Sequence, residues 1–87
     1  MNFADYARRQ TTQYLPNQAF TTATLQFLDG SEIHFEHSSR SNRWARASQP
    51  GTVADEVCRS LRQFRLNAKH LQLFFEDGSD AEFMIGE

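Results

Sequence analysis

Lysine is almost missing from this chain: of its basic residues only Lys69 is a lysine, and the others are arginines. Cysteine is nearly as scarce. Cys58 stands alone, which excludes an intrachain disulfide framework and suits a reducing compartment, so a cytoplasmic location is expected. The four glycines are scattered at turns and ends, so no glycine-rich phosphate loop exists. No apolar run approaches the length of a membrane span, and Met1-Asn2-Phe3-Ala4-Asp5-Tyr6 lacks the charged-then-apolar layout of a signal peptide. Charge of one sign is missing too. Nine basic against eleven acidic residues leave a net charge of −2, so no overall field draws the protein to nucleic acid or to an anionic membrane.

Aromatic residues are plentiful. Eight Phe, two Tyr and one Trp, within a 39% apolar composition, give enough large side chains for one core without a staple. At 87 residues a single domain is expected, with 1–18 as an N-terminal helix or ordered tail and 21–86 as the core. Its radius of gyration should be roughly 12 Å.

Two alternating runs, 21–27 and 31–36, meet across Leu28-Asp29-Gly30. Asp-Gly between such runs marks a hairpin, because glycine takes positive φ at no steric cost. A two-residue loop would set Phe27 against Glu32. A three-residue loop pairs Leu25 with Ile33, Ala23 with Phe35, Gln26 with Glu32 and Thr24 with His34, separating one apolar from one polar face. The device recurs at Glu76-Asp77-Gly78, aligning Leu71, Leu73 and Phe75 with Phe83, Ala81 and Ser79. The resemblance of Leu25–Ser31 to Leu73–Ser79 fits either an internal duplication or two separate uses of one turn.

Between the hairpins, Arg43-Trp44-Ala45-Arg46-Ala47 alternates enough for a third, edge strand, which Pro50-Gly51 ends. Thr52 can cap a helix, with Asp55 in a capping-box position, and Val53, Val57, Leu61 and Phe64 line up as an apolar stripe. This spacing predicts a helix from Thr52 to Leu66. Phe3, Tyr6, Ala7, Gln10 and Tyr14 give residues 3–15 helical spacing as well, against which stand the β-branched Thr11-Thr12. The expected class is α+β: an antiparallel sheet of four to five strands, in the order (α)-β-β-(β)-α-β-β, with one main helix packed on one face.

No catalytic or metal constellation emerges. Cys58 falls on the apolar flank of its helix, as a small core residue would. His34 and His37, three apart on a strand, point to opposite faces, and His70 is remote, so neither metal nor other cofactor is expected. Asp29-Gly30-Ser31 and Asp77-Gly78-Ser79 lack the further oxygen ligands of a calcium loop and read as turns.

Three surfaces are candidates for binding. Arg40, Arg43, Trp44 and Arg46 form an acid-free patch able to grip an anion or an acidic partner, or merely a polar loop and protected edge. Arg59, Arg62 and Arg65 form a second basic stripe on the exposed helix side, or a solvated helix face. Phe74 and Met84 fall on the sheet face away from the helix, to be covered by the N-terminal segment, another subunit or another protein. The composition favours a small non-enzymatic protein-binding or regulatory domain, with a protein partner or self-association as a homodimer. The alternative is a nucleic-acid-binding module using the Arg/Trp patch.

Overall fold

The structure, a computed structural model, describes residues 2–19, 21–37, 43–67 and 70–84 of the 87-residue chain. Its elements run α1 (Phe3–Gln10), β1 (Thr11–Pro16), β2 (Thr22–Phe27), β3 (Glu32–His37), β4 (Arg43–Ala47), α2 (Val53–Arg59), β5 (Leu61–Leu66), β6 (His70–Phe75) and β7 (Asp80–Met84). The class is α+β, as expected. The strands form two antiparallel sheets, β1-β2-β3-β4 and β5-β6-β7, rather than one sheet of four or five.

Both hairpins take the expected register. Leu25 faces Ile33, Ala23 faces Phe35 and Gln26 faces Glu32; Leu71 faces Phe83 and Leu73 faces Ala81. Gly30 and Gly78 take φ of +85° and +86°, the left-handed turn that a side chain would disfavour.

Two expected helices are shorter than their spacing suggests. The helix expected over 3–15 stops at Gln10, and the one expected over Thr52–Leu66 stops at Arg59. Each gives way to a bulged strand. Leu61 pairs with Phe75 but Gln63 pairs with Phe74, leaving Arg62 as an extra residue. Likewise Thr11 pairs with Phe27 and Gln13 with Gln26, around Thr12. A bulge restores the inward orientation after three residues instead of two. Leu61 and Phe64 therefore both reach the core, and so does Tyr14, with the spacing of a helix face.

The chain is built as a repeat. The succession α1-β1-β2-β3 recurs as α2-β5-β6-β7, with β4 inserted between the two. The halves exchange helices: α1 packs on β6 and β7, and α2 on β2, β3 and β4. There are thus two helices on two sheets, where one main helix on one sheet, with an N-terminal helix or ordered tail, was expected.

The Asp-Gly-Ser turns hold this exchange. Asp29 accepts the Val53 N–H at 2.9 Å, and Ser31 Oγ accepts the Ala54 N–H at 3.0 Å. In mirror fashion Asp77 accepts the Phe3 N–H at 2.8 Å and Ser79 Oγ accepts the Ala4 N–H at 3.1 Å. Each helix also has its own cap, since Asn2 Oδ1 accepts from Asp5 N and Thr52 Oγ1 from Asp55 N. The amides that open a helix have no intrahelical partner, so each turn of one half satisfies the helix start of the other. Asp55 reaches back to Gly51 N at 2.9 Å rather than to the cap residue itself.

One core fills the space between the sheets. Leu25, Ile33, Leu71, Leu73 and Val57 are fully buried, and Phe35 meets Phe64 edge-on at 5.1 Å across the two sheets. Ala4, Ala7 and Ala54 are fully buried as well, the small side chains letting both helices lie close to their sheets. The radius of gyration is 11.8 Å.

Candidate functional site

Among the described residues the two sheets do not close into a barrel, and a groove lies at each seam. The larger, of about 590 Å³, lies between β1 and β7 and is lined by Arg8, Thr11–Leu15 and Glu82–Met84. The other, of about 320 Å³, lies between β4 and β5, where Arg43, Trp44, Cys58 and Arg62 contribute to its walls.

On both banks of the larger groove, backbone groups point outward with no paired strand among the described residues. Phe75 N donates to Ser79 O at 2.9 Å, which sets the phase of the ladder: Ala81 and Phe83 bond to β6. The N–H and C=O groups of Asp80, Glu82 and Met84 then point away from β6, where the described residues supply no further strand. Asp80 O is taken by the Arg8 guanidinium at 3.3 Å. On the opposite bank, Asn17 N donates to Thr22 O at 2.9 Å, so Gln13 and Leu15 bond to β2 and the Tyr14 backbone turns outward. A row of outward N–H and C=O groups is a template for a further strand.

Side chains shape the same groove. Phe83 is half-buried against the core, while Met84 is 44% exposed at the lip. The Tyr14 hydroxyl is buried and has no hydrogen-bond partner among the described residues. Its burial pushes the phenol up to about 12. A buried hydroxyl without a partner is costly, and such groups call for an explanation. Asp80 and Glu82 stand exposed on the outer face of β7. Glu82 meets His70 at 3.3 Å.

The residues singled out from the sequence are dispersed. Arg40 lies outside the described residues. Arg43 and Arg46 are exposed on β4 with Trp44; Arg43 hydrogen-bonds His37 Nε2 at 3.1 Å, and Arg46 lies 5.1 Å from the Trp44 ring centre. Arg62 and Arg65 belong to the bulged strand β5 and not to a helix, so the expected helical stripe of Arg59, Arg62 and Arg65 does not exist. Arg62 joins Arg43 and Trp44 at the smaller groove. Arg59 pairs with Asp55 at 2.9 Å, and Arg65 lies over Phe74 at 5.9 Å.

Phe74 and Met84 do share the outer face of the second sheet, but α1 does not cover them. Phe3 packs 5.1 Å from Phe75, on the inward side. Cys58 donates to Ala45 O at 3.4 Å, and burial raises its thiol pKa, the opposite of an activated nucleophile. Among the described residues no three of His, Cys, Asp and Glu cluster as metal ligands, and no helix is long and apolar enough to cross a membrane.

Arg8, Tyr14 and Glu82 were not apparent from the sequence as site residues, because the groove joins elements from opposite ends of the chain. The likeness of Leu25–Ser31 to Leu73–Ser79, with its repeated Asp-Gly-Ser, was one sign in the sequence of a doubled architecture. No family model matches the chain, and no curated protein or solved structure was found similar to it.

Proposed function

We propose that this is a small, non-enzymatic protein-binding domain that takes an extended segment of a partner into the groove between β1 and β7. One observation carries the reading: the outward backbone of Glu82 and Met84 faces that of Tyr14 across a groove of about 590 Å³. Strand addition gives affinity through main-chain hydrogen bonds, with specificity from alternate side chains. A second copy of the chain is one partner the edge can take, as a homodimer. The half-buried thiol of Cys58 fits a reducing compartment, and the reading takes the protein to be cytoplasmic.

The test is a selection of random peptides on the immobilised protein, with Glu82→Pro as the counter-target. Proline removes the outward amide of an edge strand, a position where it is tolerated, and Glu82→Gln, which keeps that amide, controls for the carboxylate lost with it. Peptides that bind the native chain and lose binding to Glu82→Pro are expected; enrichment of peptides indifferent to that substitution would defeat the reading. Light scattering across a concentration series separates self-association from binding in trans.

A second reading is favoured by the convergence of Arg43, Trp44 and Arg62 at the smaller groove. Forked guanidinium contacts and a stacking ring suit single-stranded nucleic acid. Binding of a labelled oligonucleotide that falls steeply with salt, and falls further on Arg62→Ala, would favour it. No retardation at low salt would dispose of it.

A further inference from the structure

Resting on the strand-addition reading, we infer that the groove between β1 and β7 takes a basic, small-residue segment running antiparallel to β7, with the chemistry of β4. The repeat points to this occupant. The edge of β3 that corresponds to the open edge of β7 is occupied, because β4 pairs along it. Between the two halves Glu32, His34 and Glu36 correspond to Asp80, Glu82 and Met84, through the shared Asp-Gly-Ser turns. Those three residues of β3 direct their backbone to β4, as Ser48 N donating to Glu32 O at 2.9 Å establishes. The strand β4 therefore shows what pairs along this edge in the half where it is filled.

Carried across, the register is explicit. Arg46 lies opposite His34, Ala45 opposite Phe35 and Trp44 opposite Glu36. On β7 the same sequence sets Arg46 opposite Glu82, Ala45 opposite Phe83 and Trp44 opposite Met84. Both edges carry two carboxylates, but Arg46, which faces His34 on β3, would face the exposed carboxylate of Glu82 on β7, with Asp80 one position along the same face. Trp44 gains a thioether neighbour in Met84, a favourable contact. The small inward residue of β4, Ala45, would lie beside Phe83, which is packed against the core. Arg8 holds the outward carbonyl of Asp80, so new main-chain pairing is centred on Glu82 and Met84.

The experiment is an amide chemical-shift titration of the full chain with a synthetic peptide of sequence Arg43–Ser48, blocked at both ends. Two further peptides serve as comparisons: one with both arginines replaced by glutamate, and one with both replaced by alanine. The arginine peptide is expected to move the amides of Tyr14, Glu82 and Met84. The glutamate peptide should bind about fivefold more weakly, and Glu82→Lys should reverse that order. If all three peptides move the groove amides with equal affinity, the basic partner is refuted while strand addition stands. If no peptide moves them at roughly millimolar concentration, strand addition in this groove falls and the inference falls with it. Shifts at His34 and Glu36 in place of Glu82 and Met84 would also overturn it, as the peptide would then be competing for the site β4 already fills.

Discussion

Replacing Ser31 by alanine tests the crossed clamp where it is most deeply buried. Ser31 is 6% exposed and Ala54 fully buried, so water cannot readily take over as acceptor for the Ala54 amide. The substitution removes that acceptor and also the hydroxyl that donates to Asp29. A lost helix-start acceptor costs about 1 kcal/mol, and an amide left buried without a partner costs about 1–3 kcal/mol. These describe the same lost contact and are not summed, so the expected loss is about 2 kcal/mol. For a chain of this length that corresponds to a fall in Tm of roughly 8–16 °C. Ser79→Ala makes the equivalent change at a half-buried site and should cost about 1 kcal/mol. Urea and thermal unfolding of both variants, followed by circular dichroism, give the comparison. A Ser31→Ala chain within about 0.3 kcal/mol of the parent would refute the clamp, since surface substitutions without such a role fall in that range.

Three further outcomes are expected. Ser31 and Ser79, with the Val53 and Phe3 amides, hold the Asp29 and Asp77 carboxyls below their ordinary values. Groups lowered in the folded state stabilise above their unfolded pKa and lose that effect as pH falls through the folded one. Stability should therefore decline from about pH 4 downward, and Asp29→Asn with Asp77→Asn should flatten that decline in unfolding curves taken against pH; an unchanged slope would contradict the linkage. Tyr14→Phe removes a buried hydroxyl without a partner among the described residues and should leave stability unchanged or raise it by about 1 kcal/mol, whereas a loss above that amount would mean the hydroxyl is bonded. Gly78→Ala meets no atom within 4 Å and so isolates the positive φ, with an expected cost of about 1–2 kcal/mol in urea unfolding; no cost would show that the turn can relax.

The hairpins were legible because their cues are local: Asp-Gly turns, alternation, and a polarity that admits one register. The edge strand β4 and the start of α2 at Thr52 were legible for the same reason. The strands β1 and β5 were not, since a bulge at Thr12 and at Arg62 imitates the three-residue spacing of a helix. Thr11-Thr12, with their β-branched side chains, were the local warning at the first of these. The candidate groove was out of reach altogether. Its banks come from β1 and β7, which only the exchange of helices between halves brings together, and its main recognition groups are backbone atoms that no residue pattern marks.

Hydrogen exchange, read amide by amide on the uncomplexed protein, bears most directly on the open edge of β7. Ala81 and Phe83, bonded to β6, should be protected, whereas Glu82 and Met84 should exchange at nearly the rate of an unstructured chain. Equal protection of all four amides would mean that another strand already covers this edge, leaving no place for a partner there.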